Sequence, residues 1–210
     1  MDGDAFGPSL NEWTVEQAVL ALLQQPPAAS CTAPRLVYYL ADQERQLGLP
    51  AQTLKVPPGP SSYTGGVDAM TLQAEWFPMV TVAVEPVSVT GLNTGAFFAT
   101  YDVTVTATVG DDDENTARHT AYAYGSAIAL LITQNGTLGI GATDARLTRP
   151  AHVELLNPVD ARQVCQSIVM FSATFADVYT LPGPDVWQPN PYMAPATNPS
   201  IAQIGVTVNV

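Results

Sequence analysis

The clearest periodicity in the chain lies between Phe97 and Asn135. Tyr101, Val103, Val105, Ala107 and Val109 alternate with Asp102, Thr104, Thr106 and Thr108. A period of two, rich in β-branched side chains, predicts a half-buried strand over Phe97–Val109 that Gly110 breaks. After Asp111, Asp112, Asp113 and Glu114 the period becomes helical, with Ala117, Ala121, Tyr124, Ile128, Leu131 and Ile132 at spacings of three and four. Negative charge is favourable at a helix N-terminus, where N–H groups are unpaired and the dipole is positive. The acidic run therefore predicts the start of a helix over Asn115–Gln134, and Asn135-Gly136 supplies its stop.

Upstream, Val15, Ala18, Val19, Leu22 and Leu23 form an apolar stripe. They predict a first helix over Trp13–Gln25, capped by Thr14 and ended by Pro26-Pro27. Leu36, Tyr39, Leu40 and Leu47 suit a short second helix over Arg35–Leu47, with a strand over residues 35–40 as the alternative. Residues 48–75 open with a dense series of glycines and prolines and predict a long inserted loop. Such a loop in a compact domain is usually functional or ordered by a partner. Val80, Val82 and Val84 alternate with Thr81, Ala83 and Glu85, so Met79–Thr90 reads as a strand paired in a hairpin with the next. Pro86 there points to an edge, a bulge or a strand end.

Downstream, Ala142–Leu156 predicts a strand interrupted by Pro150, Asn157-Pro158 a turn, and Arg162–Tyr179 a closing strand with Cys165, Val169, Phe171, Ala173 and Phe175 on its apolar side. Pro182, Pro184, Pro189, Pro191, Pro195 and Pro199 then predict an extended arm. Beyond it, Ile201, Ile204, Val206, Val208 and Val210 form a β-prone segment without a partner nearby in sequence, which strand addition to a neighbouring chain would satisfy. The whole reads as α+β: a four-stranded, largely antiparallel sheet packed by one long helix, with an N-terminal helix and an extended Pro-rich C-terminal arm. Residues 1–180 form one domain with an insertion at 48–75, and residues 181–210 form the arm.

Composition narrows what this fold is for. Charged residues are only 12% of the chain against 47% apolar, so the core is adequate and the surface relies on neutral polar groups or on partners. The formal charge of −12 argues against gripping a phosphate backbone, which needs clustered Lys and Arg. Arg146 and Arg149 are the closest basic pair. Cys31 and Cys165 are too few for a disulfide framework. The acidic start Met1–Asp4 is unlike a secretory signal and no apolar run reaches the length of a membrane span, so the expectation is a protein kept in the cytosol or packed into a particle assembled there.

Chemistry is sparse. His119 falls on the helix face away from the apolar stripe, and His152 follows Pro150 on a predicted strand; a surface or structural role suits both. A thiol dyad of Cys165 with a histidine needs an orienting third group for which no local signature exists. No His-Glu-x-x-His pattern, metal-spaced cysteine pair, phosphate-binding glycine loop or nucleophile elbow occurs. The Asp111–Glu114 run lacks the alternation and central glycine of a calcium loop. The expectation is therefore a non-enzyme with no catalytic residue, no cofactor and no metal.

The order helix, strand hairpin, long helix, two strands resembles the tail terminator (tail completion) proteins of long-tailed, siphovirus-type bacteriophages. The resemblance is carried by Trp13–Gln25, Met79–Thr90 with Phe97–Val109, Asn115–Gln134, and Ala142–Leu156 with Arg162–Tyr179. It is a pattern of elements over residues 10 to 180, not a residue motif; residues 48–75 and the arm lie outside it. The resemblance implies a structural virion protein of the tail or neck, assembled in the host cytoplasm. Its partners would be itself in a ring, a hexamer, then the tail tube protein whose polymerisation it ends, and the head-tail connector protein. Phage DNA would pass through the lumen without specific binding, and no membrane is involved. Candidate contacts between subunits are Ile201, Ile204, Val206, Val208, Val210, Tyr63 and Trp76. The alternatives are another head-tail connector or tail-tube subunit, a capsid decoration protein, or a small-ligand-binding or enzymatic α+β domain with its pocket between sheet and helix.

Overall fold

Asn11 caps the first helix. Its Oδ1 accepts from Thr14 N at 2.8 Å and from Thr14 Oγ1 at 3.0 Å, so α1 spans Glu12–Gln24 and Thr14 is bound by the cap instead of being it. The structure, a computed structural model, describes residues 10–28, 30–65, 77–91, 97–140, 142–159 and 161–176. α2 covers Arg35–Leu47, so the strand alternative at 35–40 falls away. It stops at Gly48, whose φ of 67° closes the helix while Leu49 N returns to Glu44 O at 2.9 Å.

The long helix α3 runs over Glu114–Gln134. Asp113 caps it, accepting from Thr116 N at 2.8 Å and Thr116 Oγ1 at 2.9 Å. These bonds hold the Asp113 carboxyl below the usual carboxylate range. Ala117, Ala121, Tyr124, Ile128 and Leu131 are all buried, as the helical period requires.

Among the described residues the sheet has six strands and is mixed, where four largely antiparallel strands were expected. A short strand β1, Tyr63–Gly65, lies parallel to Val80–Val82 of β2, Met79–Gly91. β2 pairs antiparallel with β3, Phe97–Asp111, over almost their full lengths, with a bulge between Pro86 and Ser88. β3 pairs in turn with the last described strand, Arg162–Ala176. The segment read as one interrupted strand is two, β4 at Asp144–Leu147 and β5 at His152–Val159; Arg162–Ala176 is therefore β6. Both β4 and β5 lie antiparallel along the same edge of β6. Leu147 faces Phe171 and His152 faces Ile168, so four residues (148–151) stand against two (169–170). An even excess preserves the face on which side chains point, which is why one alternation runs through both strands. The turn after β5 falls beyond Val159 rather than at Asn157-Pro158, which lies in a second irregularity of the ladder.

Gly110 does not break β3. It pairs with Val164, and Asp111 with Gln163. Glycine is needed there because the Phe77 ring lies against it: a Cβ would come within 2.6 Å of Phe77 Cδ2. Phe77, Met79 and Val164 form a small cluster at this end, with Leu156 and Val159 packed on it.

Paired residues of antiparallel strands share a face. One face carries Val80, Val82, Val103, Val105, Val169 and Phe171, all fully buried, and forms a single core with the helices. α1 packs on β1 and β2, α3 on β3 and β6, and α2 rests on α3 and α1. The opposite face carries Thr100, Asp102, Thr104, Ile168, Met170, Ser172 and Thr174, all half-buried, with Thr81, Thr106 and Thr108 buried further along it, and no helix covers it among the described residues.

Candidate assembly surface

Among the described residues, His119, His152 and Cys165 are not gathered into a cluster. His119 is exposed on α3. His152 is on β5, with Nε2 3.1 Å from Glu154 Oε1. Cys165 is buried on the helix-facing side of β6, and burial pushes its thiol up. Among the described residues no group of three or more His, Cys, Asp or Glu stands close enough to hold a metal ion. The acidic run is divided between two local tasks. Asp113 caps α3, while Asp111 Oδ2 accepts from Lys55 Nζ at 2.6 Å. That bond holds the Asp111 carboxyl below its ordinary range.

The candidate contact residues fare unevenly. Trp76 and Ile201, Ile204, Val206, Val208 and Val210 lie outside the described residues, as does the arm at 181–210. Tyr63 is described, and it is 7% exposed in the protomer core, so little of it is left to meet a neighbour. Its hydroxyl has no hydrogen-bond partner, and burial pushes the phenol up to about 12.

The 48–75 insertion also differs from expectation over its described part. It contains a turn of 3₁₀ helix at Pro60–Ser62 and strand β1, and it is fastened to its own protomer. The buried Glu44 carboxylate accepts from Leu54 N at 2.7 Å and Gln52 N at 3.1 Å. Lys55 O accepts from Tyr124 Oη at 2.8 Å, while Lys55 Nζ holds Asp111. Breaker residues signalled irregular backbone, but the carboxylate that orders it sits on α2, outside the loop. Residues 66–75 lie outside the described residues.

What remains is a surface feature: the two edges of the sheet. β1 covers only Val80–Val82 of β2, and Glu85–Thr90 are exposed, with Val87 at 56% and Val89 at 54%. At the other side β4 presents Arg146, whose side chain is 82% exposed and whose Nε meets Asp144 Oδ2 at 2.6 Å. Following the pairings across the sheet, Glu85 lies opposite Asp102, Asp102 opposite Ser172, and Ser172 opposite Arg146. One row on the open face thus runs from two adjacent carboxylates at one edge to a guanidinium at the other. Like charges directly opposite are unfavourable within a sheet. Sequence reading passed over this row because its members are 17, 70 and 26 residues apart and only register aligns them.

No family model matches the chain, and no curated protein matches it. Among the described residues no helix is long and apolar enough to cross a membrane.

Proposed function

We propose that this protein is a phage tail terminator: a structural virion subunit that forms a hexameric ring on the tail tube, stops its polymerisation and offers a surface to the head-tail connector. Support comes from the order of elements, with α1 before the β2–β3 hairpin, α3 packed on the sheet, and β4 to β6 closing it. The observation that carries the reading is the sheet itself. It has one face without a helix among the described residues and two unlike edges, β1 with the rest of β2 on one side and β4 with β5 on the other. A closed ring of identical subunits needs two such unlike surfaces, joined head to tail. The net charge of −12 per copy suits a lumen that DNA crosses without adhering.

Electron microscopy of the purified protein, alone and added to polymerising tail tube protein, tests the reading. Six-membered rings that cap tubes and limit their length are the expected result. Tubes formed by the protein alone would make it a tube subunit instead. A monomer that leaves tube length unchanged would remove the proposal.

A further inference from the structure

The ring reading leaves open which surfaces meet. We infer that the exposed stretch of β2 next to Pro86 pairs with β4 of a second copy, and that Arg146 of one copy docks on Glu85 and Asp102 of the next. This inference rests on the tail-terminator reading for the ring and on the sheet register for the contact.

Three features of the sheet converge on it. First, height: the pairings place Leu147 level with Val84, Arg146 with Glu85, and Ala145 with Pro86. A rotation about an axis along the strands keeps each row at its own level, so β4 of the next copy arrives beside the part of β2 that β1 leaves uncovered. Second, direction: three antiparallel steps separate β2 from β4, so β4 of the neighbour runs antiparallel to β2 and keeps the open face on the same side. Third, charge: on that face the incoming Arg146 meets the two carboxylates that lie opposite one another within the protomer. A guanidinium on the outer side of Glu85 adds an opposite charge to a row in which two carboxylates stand opposite one another. Pro86 removes one main-chain donor from this edge, so the ladder is short and the charge contact sets its register. The four residues of β4 suit so short a ladder.

A charge swap tests the pairing. Glu85→Arg sets a guanidinium against the incoming Arg146, and Arg146→Glu sets a carboxylate against Glu85 and Asp102. Each variant alone should lose assembly, with an interface association constant about tenfold lower or worse in sedimentation velocity. Both positions are exposed, and an unchanged circular dichroism spectrum and melting midpoint certify that each variant folds. An equal mixture of the two should reassemble, because copies then alternate and every contact is complementary; only rings with an even number of copies close in this way.

Single variants that assemble like the wild type overturn the inference. So does a mixture that stays dissociated, since the loss would then be non-specific. Rings that persist in micrographs regardless of the swap remove this pairing and leave the tail-terminator reading standing. Charge-dependent pairing that yields open chains in place of rings keeps the pairing and removes that reading.

Discussion

Gly125 of α3 lies directly over Ser167 of β6: a Cβ on Gly125 would come within 2.4 Å of Ser167 Oγ and 3.2 Å of Ala151 Cβ. The helix approaches the sheet closely here, where both partners are small. Ser167 is fully buried and its hydroxyl has no hydrogen-bond partner, so it occupies the apolar face as a small side chain rather than as a donor. Gly125→Ala should therefore destabilise the protein by about 1–3 kcal/mol through overpacking, against a gain of about 1 kcal/mol in helix propensity. Ser167→Ala should be neutral or stabilising, because it removes a buried unpaired polar group. The double variant should recover most of the loss, since the Ser167 Cβ is at an ordinary 3.7 Å. Urea unfolding of the four proteins measures the coupling; additive effects would show that the contact is not as close as described.

Glu44 organises the chain after α2. Its carboxylate is 5% exposed and receives two backbone N–H groups ten and eight residues away, from Leu54 and Gln52. Glu44→Ala should cost about 1–3 kcal/mol, because it leaves those donors unpaired. Limited proteolysis should then cut between residues 49 and 59, where the wild type resists. Cleavage at equal rates in both proteins would assign the ordering of this segment to Leu54 packing alone.

Lys55, the chain's sole lysine, ties this segment to the end of β3 through Asp111. The bond depresses the Asp111 carboxyl in the folded state. A depressed folded value adds stability that is present above the ordinary carboxylate range and is lost as pH falls through the folded value. Lys55→Met should thus destabilise the protein at neutral pH by up to about 1 kcal/mol, as for other partly exposed pairs. The difference from wild type should vanish in acid. Melting midpoints at pH 7 and below pH 3 check this; a difference that persists in acid would trace it to packing of the lysine stem.

Tyr63 and Tyr124 are buried together but bonded differently, Tyr124 to Lys55 O at 2.8 Å and Tyr63 to no partner. Tyr124→Phe should cost about 1 kcal/mol, and Tyr63→Phe nothing or less. Burial raises Tyr63 to about 12 from 10.0. A raised folded value gives stability that is full below pH 10 and lost as pH climbs towards 12. Tyr63→Phe should flatten this alkaline limb, as followed by unfolding at stepped pH. An unaltered limb would assign it to Tyr124, which burial and the neighbouring Tyr63 also raise.

The sequence by itself determined the elements whose periodicity is local. The alternation at Tyr101–Val109, the helical stripe from Ala117 to Ile132 and the shorter stripe of Leu36, Tyr39, Leu40 and Leu47 each depend on residues within a few positions of one another, where pleat and turn geometry act. All three appear in the structure at almost their expected bounds. Only the tertiary structure decided relations that no local period encodes. β1 joined β2 in parallel, Gly110 stayed in its strand because Phe77 lies on it, and Tyr63 went to the core. The 49–59 segment is bonded through Gln52 and Leu54 to Glu44, a carboxylate that reads in sequence as an ordinary polar position of α2. The same holds for the candidate assembly surface. Glu85, Asp102 and Arg146 are unremarkable in sequence, and only the registers of three successive strand pairs put them in one row on an open face. Strand order and register come from how distant segments share one core, so an edge, and what it can meet, exists only once the sheet has formed.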